Sequence, residues 1–210
     1  MPTEESKPKP NRRSMRLQSW DYAQSAGYFV TTCVEDRACL LGNIANDEMH
    51  LRAFGSIVQK WWDYLPTHFP NIELDAFVIM PNHIHAIIVI ATDNNRRDWV
   101  PLSDVNPITN VSKDTQPLRR FAPRGKTGAP IQPTLSQIVA YFKYQSTKEI
   151  NGLRGVPGKP FWQKGFHDRI IRNQRELDAK RKYIEDNPMQ WALDEENPDI
   201  RTKRNLHEPR

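Results

Sequence analysis

Cysteine is scarce in this chain of 210 residues: there are two, Cys33 and Cys39. They stand at no metal-ligand spacing and lie in or beside apolar stretches. A cysteine-built metal site is not expected, and both read as reduced packing residues of an intracellular protein. Long hydrophobic runs are missing too. No apolar segment approaches the length needed to cross a membrane, so no membrane partner is expected. The first residues, Met-Pro-Thr-Glu-Glu, lack the apolar stretch of a secretory signal, and a cytoplasmic protein is expected. There is no internal repeat. A Lys/Arg-Gly-Phe/Tyr aromatic motif of the kind used by RNA-recognition modules is also absent, which weighs against that class.

What is present is a modest excess of positive charge. Thirty Lys and Arg against 25 Asp and Glu leave a formal charge of +5. That balance suits a polyanionic partner, because basic side chains displace counterions from a phosphate backbone. A merely basic soluble enzyme would show the same charge.

Residues 1–19 read as a flexible basic arm, residues 20–193 as one catalytic domain, and residues 194–210 as a tail. A strand is expected at 27–34 and a short partner at 39–42. Asn46 or Asp47 can cap a helix running to about residue 64, with Leu51, Phe54, Ile57, Val58, Trp61 and Trp62 at helical spacing. Strands at 73–80 and 82–90 follow, parted by Pro81. The second is apolar on both faces beyond its histidines, which marks a central strand. Residues from about 91 to 133 form a long insertion rich in Pro, Arg, Asn, Asp and Thr, expected to be mobile. Thr134 caps a helix over 135–150, a strand covers 161–171, and a helix begins at Asn173 and ends at Asn187-Pro188. The pattern is α+β: a ferredoxin-like or RRM-like sandwich whose central antiparallel sheet carries its helices mainly on one face.

Two features carry chemistry. In a strand, alternate side chains share a face, so His83 and His85 project side by side and could grip one metal ion. Paired histidines on a strand are more often ordinary hydrogen-bonded residues. Tyr183 and Asn187 are four apart on the last helix and therefore share a face. One offers a hydroxyl that could attack a phosphate, the other a carbonyl oxygen that could bind a metal.

Met80-Pro-Asn-His-Ile-His-Ala-Ile-Ile-Val resembles the His-hydrophobic-His segment of single-tyrosine transposases. Phe161-Trp-Gln-Lys-Gly-Phe-His-Asp-Arg-Ile-Ile-Arg, then Glu176-Leu177 and Tyr183-Ile-Glu-Asp-Asn187-Pro188, resembles the C-terminal signature of the REP-associated branch. Gly27-Tyr-Phe-Val-Thr-Thr and Thr134-Leu-Ser-Gln-Ile-Val fit the same branch, and the likeness spans roughly residues 12–200 in order. The resemblance implies a ferredoxin-like core, Tyr183 as nucleophile, and His83 and His85 as metal ligands. Asn187 would be the third ligand, in place of the glutamine of the insertion-sequence enzymes. It implies magnesium or manganese as cofactor, and single-stranded or hairpin DNA with palindromic repeats as partner. The activity would be endonuclease and strand joining through a 5′-phosphotyrosine link. A monomer is preferred to a homodimer, nucleoid-associated when DNA is bound. Arg169 stands where many relatives carry histidine, and the part of His167-Asp168-Arg169 stays open.

Several basic residues are candidates for DNA contact: Arg12, Arg13 and Arg16 before the fold, and Lys143, Arg172, Arg175, Lys180, Arg181 and Lys182 near the last two helices. The competing readings are a non-catalytic DNA-hairpin binder and a metal-dependent hydrolase that uses the histidines alone.

Overall fold

The computed structural model describes residues 26–91, 133–194, 196–198 and 200. The basic arm with Arg12, Arg13 and Arg16, and nearly all of the long insertion, lie outside the described residues. Among the described residues, no helix is long and apolar enough to cross a membrane.

The elements run β1 (Ala26–Cys33), β2 (Gly42–Ala45), β3 (Glu48–Leu51), α1 (Ala53–Asp63), α2 (Leu65–His68), β4 (Ile72–Ile79), β5 (His83–Ile90), α3 (Leu135–Arg154), β6 (His167–Ile171) and α4 (Gln174–Gln190). Four strands form one sheet in the order β4-β5-β1-β6, antiparallel throughout. Setting the β2–β3 hairpin aside, the order β-α-β-β-α-β with the first strand between the third and the last is the ferredoxin-like arrangement. The α+β class and the central place of the histidine strand hold: β5 is buried along its whole length between β4 and β1.

Alternation along the strands divides the sheet into two faces. On one, Tyr28, Val30, Ile84, Ala86 and Ile88 meet Ile57, Val58 and Trp62 of α1 and Ile138, Val139 and Phe142 of α3. This is the main core, and each large side chain sealed there contributes roughly 1.5–3 kcal/mol of transfer free energy. On the other face, Phe29, Ile87 and Ile171 meet Leu177 and Ile184 of α4. Helices α1 and α3 thus share one face as expected, and α4 lies on the opposite one.

Local signals explain most boundaries. Thr134 caps α3 with a full capping box to Gln137, and the left-handed Gly155, at φ 65°, stops it after Arg154, beyond the expected end at 150. Asn173 caps α4 by accepting from the Glu176 N–H, while the Glu176 carboxylate accepts from Arg172 N–H. Four expectations need correction. Asn46 and Asp47 do not cap a helix: both have positive φ (53° and 62°) and make the two-residue turn between β2 and β3, a turn type that favours such residues. The strand expected at 39–42 therefore falls at Gly42–Ala45, and α1 starts at Ala53. Ordered pairing in the strand expected at 161–171 begins only at His167, after Gly165 at φ 80°; ahead of it, Trp162 makes one bridge to Val34. Finally, α4 continues through Pro188 to Gln190. A proline this close to a helix end forfeits a single backbone bond, which the last turn tolerates.

Candidate functional site

The face of the sheet that carries α4 also carries both histidines. His83 and His85 start β5 and are 0% and 5% exposed. Their Nε2 atoms lie 3.1 Å apart. Each outer nitrogen is held: Nδ1 of His83 lies 2.8 Å from Oδ1 of Asn82, and Nδ1 of His85 lies 2.7 Å from Oγ1 of Thr31, its cross-strand partner on β1. Burial drives both imidazoles toward the neutral form. His83 is lowered to about 3, first by burial and then by the charge of Arg37. His85 is lowered to about 2 by burial, then by His83 and Lys180.

Helix α4 brings the nucleophile candidate to the same place. The Tyr183 hydroxyl lies 3.3 Å from Nε2 of His85, and its ring meets the His85 ring at 5.1 Å and Phe29 edge-on at 5.8 Å. Tyr183 is 40% exposed, so part of the residue meets solvent. Burial raises its pKa, a hydrogen bond with Asn187 lowers it, and Asp194 raises it. Asn187 is buried on the same stripe as Leu177 and Ile184, and its Oδ1 is buried without a hydrogen-bond partner. An orphaned buried carbonyl oxygen is costly and calls for a partner.

Two imidazole nitrogens bound to one cation at ~2.0–2.2 Å stand about 3.0–3.4 Å apart, so the spacing of the two Nε2 atoms fits a shared ion. Among the described residues, no three His, Cys, Asp or Glu side chains gather as a metal-binding group. A metal would therefore draw on the two imidazoles and an amide oxygen. Asp194 is a carboxylate nearby, its Oδ2 3.8 Å from Nε2 of His83; burial raises its pKa and Arg37 lowers it. The sequence assigns Asp194 to the tail and gives no sign of this proximity. Thr31 and Asn82 were missed as well, although both sit inside segments that carry the resemblance.

A salt link holds α4 in place. Strand β4 has a bulge between Leu74 and Phe77, which turns Asp75 and Ala76 toward α4. Arg181 donates to both carboxylate oxygens of Asp75, Nε to Oδ1 at 3.0 Å and a terminal nitrogen to Oδ2 at 2.9 Å. Arg181 is thus a docking residue of the fold. Lys143 also braces the fold: its Nζ donates to the carbonyls of Gln163 and Gly165. Lys182 pairs with Asp186 along the helix. Arg172 and Arg175 are exposed. Lys180 lies nearest the site, its Nζ 4.3 Å from the Phe29 ring centre and 5.2 Å from that of Tyr183. Its pKa is lowered by burial and by Arg169, against a raising effect of Glu176. Arg169 pairs with Phe29 across β1–β6, and with Lys180 it lines a cleft of about 200 Å³ floored by Ile171 and Ala179.

The buried histidine pair thus stands at the start of a central strand and is faced by the tyrosine helix across one side of a ferredoxin-like sheet. The fold is that of a REP-associated tyrosine transposase bound to a REP hairpin, with a TM-score of 0.50 and 18% identity over 84% of this chain and 74% of that one. No family model matches the chain. It is 31% identical over 185 residues to an uncharacterised protein of Haemophilus influenzae, covering 88% of this chain and 92% of that protein, and it belongs to the same family.

Proposed function

We propose that this protein cuts and rejoins single-stranded DNA, with Tyr183 as nucleophile and a divalent cation, magnesium or manganese, held by His83, His85 and Asn187. The observation that carries the reading is the convergence of three groups, two Nε2 atoms 3.1 Å apart and the Tyr183 hydroxyl 3.3 Å from one of them, with the unpartnered Oδ1 of Asn187 one turn further along the tyrosine helix. A cation bound there polarises the scissile phosphate and offsets the charge of attack.

The side chains supply the rest. Tyr183 is delivered as a phenol, since its pKa is raised. Its oxygen bonds to phosphorus, the bond from phosphorus to the 3′-oxygen breaks, and the departing oxygen takes up a proton as the phenol gives one up. The products are a 5′-phosphotyrosine and a free 3′-hydroxyl. Attack by another 3′-hydroxyl reverses the step and rejoins a strand without an external energy source. Lys180 and Arg169 lie beside the nucleophile, where they can hold phosphate oxygens of the strand. The transposase of the same fold is bound to a REP hairpin, and a hairpin with a single-stranded flank is the proposed substrate here. A single chain contributes both histidines, Tyr183 and Asn187, which supports a monomer as the working unit.

The test is incubation of the full chain with short DNA hairpins and manganese, followed by a denaturing gel. A shifted, protease-sensitive DNA band is expected. Tyr183→Phe keeps the ring packing and removes one oxygen, so hairpin binding should persist while the band disappears. An adduct formed by the phenylalanine variant would remove Tyr183 from the role. Hairpin binding without any adduct from the unaltered chain would leave a binding protein.

A further inference from the structure

We infer that Asn82 and Thr31 are positioning residues that set the tautomers of the two histidines, Asn82 holding His83 permanently ready and Thr31 letting His85 reverse. The inference rests on the metal reading of His83 and His85 given above and adds what readies them for it.

The side chain of Asn82 is fully buried, and both of its amide hydrogens are committed. Nδ2 donates to the carbonyl of Arg37 at 3.0 Å and to that of Glu196 at 2.7 Å. Carbonyl oxygens only accept, so the amide cannot be turned around. Its Oδ1 must be the atom that faces Nδ1 of His83 at 2.8 Å. An amide oxygen also only accepts, so Nδ1 of His83 carries the hydrogen. In a neutral imidazole the other nitrogen then bears a lone pair. That nitrogen is Nε2, the one aimed at His85.

Thr31 is chemically different, because a hydroxyl can donate or accept. Without a cation, two lone pairs 3.1 Å apart would repel. The hydrogen between them must belong to His85, which then accepts at Nδ1 from the Thr31 hydroxyl, 2.7 Å away. With a cation between the rings, both Nε2 atoms must offer lone pairs. His85 moves its hydrogen to Nδ1, and the Thr31 hydroxyl rotates to accept it. The count of protons on the two rings does not change. A hydrogen bond to the outer ring nitrogen fixes ring orientation and raises ligand basicity, and losing such a partner weakens metal binding by ~10–100-fold.

The experiment uses the full chain, freed of metal, with ¹⁵N-labelled histidine at neutral pH. Long-range proton–nitrogen correlations report which ring nitrogen is protonated. His83 is expected to be protonated at Nδ1 alone and His85 at Nε2 alone. Addition of zinc, a diamagnetic probe, should move the hydrogen of His85 to Nδ1 and leave the pattern of His83 unchanged. Asn82→Asp keeps the acceptor and loses both donors, so His83 should keep its tautomer while the melting temperature falls. Asn82→Leu should mix the tautomers of His83 and weaken manganese binding by ~10-fold or more, measured by calorimetry. Thr31→Val should weaken it comparably, and Thr31→Ser should restore it. A hydrogen on Nε2 of His83 in the unaltered protein overturns the inference and leaves the metal reading standing. Tautomers as expected that ignore zinc would instead overturn the metal reading, and the reversal of His85 with it. The unaltered spectrum decides even if the leucine variant does not fold.

Discussion

Arg181 and Asp75 form a two-pronged ion pair across the gap between α4 and the bulge of β4, with the Asp75 side chain 4% exposed and that of Arg181 29% exposed. The pair lies two residues from Tyr183 and fixes how far the helix stands from the sheet. Removing one partner strands a charge that the fold has partly desolvated. Arg181→Met should lower stability by about 1–3 kcal/mol in urea titration. In a double-mutant cycle with Asp75→Asn, the two changes should cost clearly less together than their sum. Strict additivity would mean that the pair contributes no coupling and that apolar contact alone seats α4.

The two histidines make metal-free stability depend on pH in a defined direction. Both are held below their ordinary value of 6.5, to about 3 and about 2. An unfolded chain therefore takes up protons at these sites as pH falls below 6.5, and the folded chain does not. The stability they contribute is present above 6.5 and is lost as pH falls toward those values, by on the order of 1 kcal/mol per pH unit for each ring. Melting curves from pH 7 to 4 in the presence of a chelator should show this loss. The slope should flatten in a His83→Gln, His85→Gln double variant. An unchanged slope would contradict the burial of the rings.

Metal ligation and DNA binding should separate. His83→Ala or His85→Ala should abolish adduct formation, and a chelator should do the same to the unaltered protein. Hairpin affinity should change little, because on the proposed reading it would rest on many phosphate contacts and the cation on about three ligands. Cleavage at full rate by either alanine variant would mean that the histidines only pack and bond.

Arg169 and Lys180 should contribute measurable phosphate contacts. Binding of a single strand weakens with salt with a slope near −0.7 per neutralised phosphate, so Arg169→Gln and Lys180→Gln should each reduce the slope by about 0.7. Lys182→Gln, which alters a lysine already paired with Asp186, should change it less. Equal effects at all three positions would indicate diffuse charge and no defined strand path.

The parts of this molecule that were legible in the sequence are those written in local periodicity. Two histidines two apart on an apolar strand must share a face, and a tyrosine and an asparagine four apart must share a helical side; both relations hold in the structure. The capping residues Thr134 and Asn173 were equally plain. Asn46-Asp47 was misread because the same small polar side chains serve a helix cap and a positive-φ turn, and the choice between them depends on what β2 and β3 pair with. The pairs that finish the site were invisible for another reason. Asp75 with Arg181, Asn82 with the Glu196 carbonyl, and His83 with Asp194 join residues more than 100 positions apart, and no local pattern marks them.

The long insertion leaves the fold at the far end of the histidine strand. His83 opens β5 and Ile90 closes it, so the strand carries the chain about 17 Å beyond His85 and about 23 Å beyond His83 before the insertion begins after Ala91. The chain then rejoins the fold at Pro133, directly ahead of α3, which packs on the sheet face away from Tyr183. Both attachment points therefore lie away from the histidine pair and Tyr183. Evolution therefore has a place to change the length of the chain at which neither junction touches the paired histidines or Tyr183.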